Sequence, residues 1–133
     1  MLILCFAVSL VGIKAEAATF TNPIGNGADP WVVTAGGKYY LCGSDGTSIF
    51  LKQSVRLQDI ANADPFFIWT PPEGTSYSKN VWAPELHYLD GRWYVYFAAD
   101  DGDNINHRMY VLEGGTDAND PFNGTYIFKG KIS

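Results

Sequence analysis

The sequence contains little cysteine and lacks the excess of basic residues that nucleic acids and anionic membranes attract. Two of the 133 residues are cysteine, which is too few for a disulfide framework, and Cys42 is expected to be a small buried hydrophobe. Lysine and arginine total 9 against 14 acidic residues, giving a formal net charge of −5. This balance argues against nucleic acid or a membrane surface as a partner.

The motifs of several cofactor and metal sites are also missing from the sequence. Its two histidines are not spaced for a metal site, and neither a phosphate-binding glycine loop nor a nucleophile elbow is present. The residues therefore support no metal and no cofactor.

Long apolar runs are scarce, and one lies at the N-terminus. Residues 2–13 are apolar but too few to span a bilayer, which takes about 20 residues. A small-x-small motif, Ala15-Glu16-Ala17, follows the run. We therefore expect residues 1–17 to be a signal peptide and the protein to be secreted into the extracellular space. No Lys or Arg precedes the run, so a short buried helix or a wrong gene start is the alternative.

The most informative feature that is present is an internal repeat. Residues 29–41 (DPWVVTAGGKYYL) and residues 83–95 (APELHYLDGRWYV) align without a gap. A proline, a hairpin glycine, a cation and an aromatic–tyrosine pair recur in both. The repeat unit therefore runs from residue 29 to residue 83. A unit of this length that is made of short strands is typical of one blade of a β-propeller. We therefore predict an all-β fold within residues 18–133, with a first blade at about 29–70 and a second at about 83–129.

Each blade is predicted to contain four strands, because β-branched and aromatic residues dominate runs that Gly, Asp or Pro clusters bound. A helical turn is expected within 54–63, and Asp90-Gly91 favours a type I′ hairpin in which both residues have positive φ. The predicted strands are 31–35, 38–43, 47–53 and 66–70, then 85–89, 92–98, 107–113 and 125–129.

The number of blades indicates that this chain is part of a larger protein. A propeller has four to eight blades, and this chain has room for two. Two blades alone would leave broad apolar faces uncovered, so self-association through those faces is expected.

Two carboxylates are candidates for chemistry. Asp29 precedes the innermost strand of the first blade, where a carboxylate can activate water as a general base; its alternative role is to initiate a turn with Pro30. Glu85 is the second, and glycosidases use two carboxylates, about 6.5–9.5 Å apart in inverting enzymes. The repeat aligns Asp29 with Ala83 and Glu85 with Trp31, so Glu85 is expected at a different depth, in a supporting role.

Aromatic and basic residues near these strands are candidates for binding. Trp31 and Trp82 offer apolar indole faces against a sugar ring, with core packing as the alternative. The loop at 100–104 is rich in carboxylates but lacks the EF-hand spacing, so it is expected to be solvated, with calcium binding as the alternative. His107 and Arg108 follow this loop and are candidates to reach a substrate.

Taken together, these motifs resemble glycoside hydrolase family 43. The likeness covers almost the whole chain after residue 17. Within the family, the segments 97–102 and 106–113 are most similar to exo-acting α-L-arabinofuranosidases. The matching segments are 22–23 (NP), 27–31 (GADPW), 80–86 (NVWAPEL), 90–94 (DGRWY), 97–102 (FAADDG) and 106–113 (NHRMYVLE).

The resemblance implies a fold and a reaction. It implies a five-bladed β-propeller, of which this chain supplies about the first two blades, and inverting hydrolysis that releases L-arabinofuranose from plant cell-wall arabinan or arabinoxylan. It further implies that Asp29 is the general base. The implied general acid and pKa-tuning acid match no residue here, and Glu85 does not fit the acid's motif. We therefore expect the chain alone to be inactive.

Other functions stay open at this point. A β-xylosidase is the alternative within the same family. A non-catalytic carbohydrate-binding propeller would keep the aromatic walls without needing an acid. A small domain whose copies complete a ring is a third possibility.

Overall fold

A computed structural model describes residues 21–132 of the chain, and the predicted signal peptide lies outside this range. The described residues form two four-stranded antiparallel sheets, so the predicted all-β class is confirmed. The first sheet contains β1 (Trp31–Ala35), β2 (Lys38–Ser44), β3 (Ile49–Ser54) and β4 (Phe66–Trp69). The second contains β5 (Lys79–Leu89), β6 (Arg92–Asp100), β7 (Arg108–Glu113) and β8 (Ile127–Lys131).

Tight hairpins open both sheets at matching positions of the repeat. Ala35 pairs with Lys38 across Gly36-Gly37, and Leu89 pairs with Arg92 across Asp90-Gly91. The turn residues have φ of +52° and +76° in the first hairpin and of +49° and +83° in the second. The predicted pair of positive φ values at Asp90-Gly91 is confirmed, as the right-handed twist of the flanking strands requires.

The largest difference from the predicted strands is at the start of β5. This strand begins at Lys79 rather than Glu85, and its pairing with β6 shifts register on both sides of Trp82. Asn80 and Ala83 have φ of +49° and +47°. The alternation of apolar residues could not predict this irregular pairing, because bulges break the two-residue period of a strand.

Helical structure in the described range is limited to short 3₁₀ turns. The turn expected within 54–63 is present at Leu57–Asn62, where it buries Ile60. Within residues 21–132, no helix has the length and apolar character needed to cross a membrane.

One hydrophobic cluster spans both sheets. In β6 the buried residues alternate with partly exposed ones, as a strand with one face in the core requires. Cys42 is fully buried among them, as predicted, and burial raises the pKa of its thiol. The buried side chains of the cluster include Tyr40, Cys42, Ile49, Leu51, Val81, Leu86, Trp93, Val95, Phe97, Ala99, Tyr110 and Leu112.

Hydrogen bonds join the two sheets where β5 approaches the first sheet. The Trp31 indole Nε1 donates to the Leu86 carbonyl at 2.8 Å. The Ser44 hydroxyl donates to the Val81 carbonyl at 2.6 Å, and the Val81 amide donates to the Gly46 carbonyl at 3.0 Å. These bonds satisfy backbone groups that the local sheet pairing of β5 leaves free.

Aromatic rings join the sheets near their last strands. Trp69 of β4 stacks on Phe128 of β8 with 5.8 Å between ring centroids and 11° between planes. Tyr77 stacks on Phe128 at 4.3 Å, and Phe97 contacts Trp69 at 5.0 Å. The sheets are therefore held together by side chains as well as by backbone hydrogen bonds.

Replacing Phe97 should test whether this shared core stabilises both sheets. Phe97 is 0% exposed, and Phe97→Ala is expected to lower the free energy of unfolding by about 3–5 kcal/mol, since it removes buried area and leaves a cavity. Phe67→Ala is the control, because Phe67 is 51% exposed and its loss should cost less than about 1 kcal/mol. Denaturant unfolding measures both, and equal losses would contradict the assignment of Phe97 to the core.

Candidate functional site

Asp29 lies directly before β1 in an unusual backbone conformation. Its φ is +48°, and its counterpart in the repeat, Ala83, has a φ of +47°. Asp tolerates this left-handed region better than most residues, whereas Ala gains no compensating hydrogen bond from its side chain. The two positions that the repeat aligns therefore share one strained geometry, and such strain concentrates at functional sites.

A cleft of about 250 Å³ lies at these two positions. It is lined by Asp29, Pro30, Trp31, Ala83 and Glu85. The structure thus brings both candidate carboxylates and one candidate tryptophan to the same cleft, although Glu85 stands two positions further along its repeat. Asp29 is exposed to solvent, so water has access to its carboxylate.

Trp31 is one of the residues that line this cleft and also contacts the second sheet. Its indole packs at 4.8 Å from the ring of His87 while Nε1 bonds to Leu86. These contacts hold the ring in the lining of the cleft, where it can form an apolar wall.

Glu85 is held by a neighbour that is not among the predicted site residues. Its Oε2 lies 3.2 Å from Nε2 of His87. Residues two apart in a strand share a face, so the spacing of Glu85 and His87 was the available signal for this contact.

The carboxylate-rich loop differs from the prediction at its first residue. Asp100 is 0% exposed, whereas residues 101–104 are exposed as expected. The prediction is wrong for Asp100 because β6 continues to it and its carboxylate is enclosed by donors. The donors are Asn80 Nδ2 at 2.9 and 3.0 Å and the Gly102 amide at 2.8 Å, and His107 Nδ1 lies 3.0 Å from the same carboxylate.

Trp82 and His107 are in direct contact. Their ring centroids are 4.4 Å apart with 32° between planes, and Trp82 is 44% exposed. Trp82 directly precedes Ala83, which lines the cleft, but neither Trp82 nor His107 is among the lining residues. Arg108 donates instead to the backbone carbonyls of Ile105 and His107 at 3.1 and 2.7 Å.

Other features of the described residues offer less chemistry. A larger cavity of about 710 Å³ lies against residues 22–28 and the first sheet, and its lining contains no carboxylate and no histidine. Across residues 21–132, no three His, Cys, Asp or Glu side chains are grouped to hold a metal ion.

The chain matches one family of known proteins. The model of the glycosyl hydrolases family 43 matches residues 20–133. The extracellular exo-alpha-(1->5)-L-arabinofuranosidase of Streptomyces avermitilis is 38% identical over 124 residues, which are 90% of this chain and 25% of that protein. The protein of the same description from Streptomyces chartreusis is 34% identical over 120 residues, which are 86% of this chain and 36% of that protein.

A solved structure shows the same similarity. The alpha-L-arabinofuranosidase from Lactobacillus brevis aligns with a TM-score of 0.73 and 36% sequence identity, over 84% of this chain and 38% of its own. The chain therefore spans between a quarter and two fifths of the length of these relatives.

Asp101 lies in the exposed loop that follows β6, and its titration allows a test of the geometry of this loop. Hydrogen bonds from the Asn106 side chain, at 3.1 and 3.0 Å, lower the pKa of Asp101 below its ordinary value. The stabilisation of the fold by the ionised Asp101 is thus present above the ordinary pKa of the carboxyl group. It is lost as the pH falls through the lowered pKa of the folded protein. Asn106→Ala should raise the pKa of Asp101 in a carboxyl-carbon NMR titration.

Asn104→Ala is the matched control for this titration. Asn104 lies in the same loop as Asp101. Its side-chain oxygen accepts a hydrogen bond from Asn80 of β5, and it makes no hydrogen bond to Asp101. Its replacement should leave the Asp101 titration in place; an equal rise in both variants would mean that the loop as a whole, rather than Asn106, sets this pKa.

Proposed function

Because this chain belongs to the glycosyl hydrolases family 43, we propose that the protein hydrolyses O-glycosidic bonds and releases L-arabinofuranose from arabinan or arabinoxylan of plant cell walls. The observation that carries the proposal is the cleft in which Asp29, Glu85 and Trp31 meet. Two carboxylates beside an apolar indole are the groups that glycoside chemistry uses. The relatives described as arabinofuranosidases support the choice of sugar.

Each sheet is proposed to be one blade of a five-bladed β-propeller. Both sheets are four-stranded with neighbouring strands in sequence order, which is the build of a propeller blade. Val32, Met109 and Ile127 are large apolar strand residues that stay exposed, as expected for faces that further blades would cover. The greater length of the relatives is consistent with additional blades.

Asp29 is proposed to act as the general base of an inverting reaction. Its carboxylate removes a proton from a water molecule while that water attacks the anomeric carbon from the face opposite the leaving group. The leaving oxygen must gain a proton from a general acid, and we assign neither that acid nor the acid that tunes its pKa to this chain. Glu85 then supports the cleft through its contact with His87.

Trp31 and Trp82 are proposed to bind the sugar by stacking. Both indoles have solvent-accessible surface, and the apolar face of a sugar ring packs favourably on an indole face. The substrate is accordingly an oligosaccharide or polysaccharide, and no nucleic acid or membrane takes part. Secretion is proposed from the predicted signal peptide and from the extracellular relatives.

Asp29→Asn should separate a catalytic role from a structural one. Asn also tolerates a φ of +48°, so the fold should persist, while loss of the general base should lower kcat by about 10²–10⁴-fold. Asp90→Asn is a matched control, because Asp90 has a φ of +49° but lies in the hairpin between β5 and β6 and does not line the cleft. Hydrolysis of 4-nitrophenyl α-L-arabinofuranoside by the full-length protein measures both variants.

Several outcomes of this assay would overturn the proposal. An unchanged kcat in Asp29→Asn would exclude Asp29 as the base. Faster hydrolysis of the β-D-xyloside than of the arabinofuranoside would favour a β-xylosidase, and sugar binding without hydrolysis would favour a carbohydrate-binding propeller. Proton NMR of the first product anomer tests inversion directly.

A further inference from the structure

The buried carboxylate of Asp100 has a partner that bears on the proposed sugar site. Burying an unpaired carboxylate is very costly, so Asp100 needs both hydrogen bonds and a positive charge nearby. Asn80 and the Gly102 amide supply hydrogen bonds, and His107 Nδ1 lies 3.0 Å from Oδ2. No Lys or Arg forms an ion pair with Asp100 among the described residues.

The two nitrogens of His107 both face oxygen acceptors. Nδ1 faces the Asp100 carboxylate, and Nε2 lies 3.1 Å from the backbone carbonyl of Asn80. The ring is therefore in contact with Asp100 on one side and with the chain before Trp82 on the other. His107 is thus held at both ends within the protein, and its nitrogens are not directed at a substrate.

The same contacts fix the backbone just before Trp82. The Asn80 side chain bonds to Asp100, its carbonyl bonds to His107, and its φ is +49°. The regular pairing of β5 with β6 is interrupted on both sides of Trp82. The sheet ladder alone therefore does not determine the position of Trp82, and the contacts through Asn80 add a restraint to the hydrogen bonds that Val81 makes with Gly46 and Ser44.

His107 also covers part of the Trp82 indole while much of the residue stays exposed. The centroid distance of 4.4 Å, with 32° between the ring planes, places the imidazole against the indole. With 44% of Trp82 accessible, the uncovered surface of the ring remains open to a ligand.

We propose that Asp100, His107 and Asn80 are positioning residues that hold the Trp82 indole as a rigid platform for a sugar ring. The sugar as ligand rests on the function proposed above, whereas the restraint on Trp82 does not. Asp100 fixes the imidazole, the imidazole backs the indole, and Asn80 fixes the chain that carries it. None of the three needs to touch the substrate.

The restraint is tested by the motion of the Trp82 side chain in the full-length protein. In His107→Phe an aromatic ring remains but no nitrogen does, and in Asp100→Asn the charge alone is removed. NMR relaxation of the Trp82 indole N–H should give an order parameter near 0.85 in the unmodified protein and below about 0.6 in at least one variant. His87→Phe is the control, since His87 contacts Trp31 rather than Trp82.

The platform is tested by sugar binding in the Asp29→Asn background, in which turnover is expected to be slow. The affinity for an arabino-oligosaccharide should fall about tenfold when His107→Phe or Asp100→Asn is added. Calorimetry measures binding, and circular dichroism identifies a variant that fails to fold, in which case the other variant decides.

The outcomes distinguish this proposal from the proposed function. An indole that stays equally ordered in both folded variants overturns the restraint, whatever the enzyme does. A looser indole with unchanged sugar affinity overturns the platform. If the Asp29→Asn protein binds no arabino-oligosaccharide, the sugar platform fails with the proposed substrate, while a loosened indole still supports the restraint.

Discussion

The packing of β5 against the first sheet is the constraint on which the candidate site depends. Val81 and Leu86 are buried, and the backbone of β5 is bonded to Gly46, Ser44 and Trp31 across the sheet boundary. The residues between these anchors cannot follow a regular ladder, so the chain bulges there. The cleft residues Ala83 and Glu85 and the exposed Trp82 are all presented by this irregular stretch.

Burial of one carboxylate adds a second constraint to the same stretch. Asp100 ends β6 with no exposed surface, and its carboxylate accepts hydrogen bonds from Asn80 and Gly102 and lies 3.0 Å from His107 Nδ1. A half-satisfied buried network is destabilising, so these groups must hold one arrangement together. The exposed loop that follows β6 is thereby connected to the strand that carries Trp82.

The repeated left-handed backbone links the architecture to the chemistry. Asp29 and Ala83 occupy equivalent positions in the two sheets and have nearly the same φ. The strain is the same, but the side chains differ, because one position has a carboxylate and the other a methyl group. The first sheet therefore contributes the carboxylate of Asp29 to the cleft. The second sheet leaves space at Ala83 and contributes the carboxylate of Glu85 two residues further on.

Much of this molecule was predictable from sequence, because local physics decides it. Alternation of apolar residues, glycine-containing hairpins and the repeat of 29–41 in 83–95 were sufficient for the all-β class and for nearly all strand positions. The position of Asp29 directly before a strand was also predictable from its motif. The bulged start of β5 was not, since its register depends on long-range contacts with Ser44 and Gly46.

Only the tertiary structure decided which polar groups meet. Composition indicated a solvated loop at 100–104, yet Asp100 is buried because Asn80 and His107, separated from it by 20 and 7 positions, approach it in the fold. The placing of Glu85 in the cleft of Asp29 likewise depends on how one sheet packs on the other. Sequence alone determined the strands and their turns, because these depend on neighbouring residues; the site depends on contacts between distant ones.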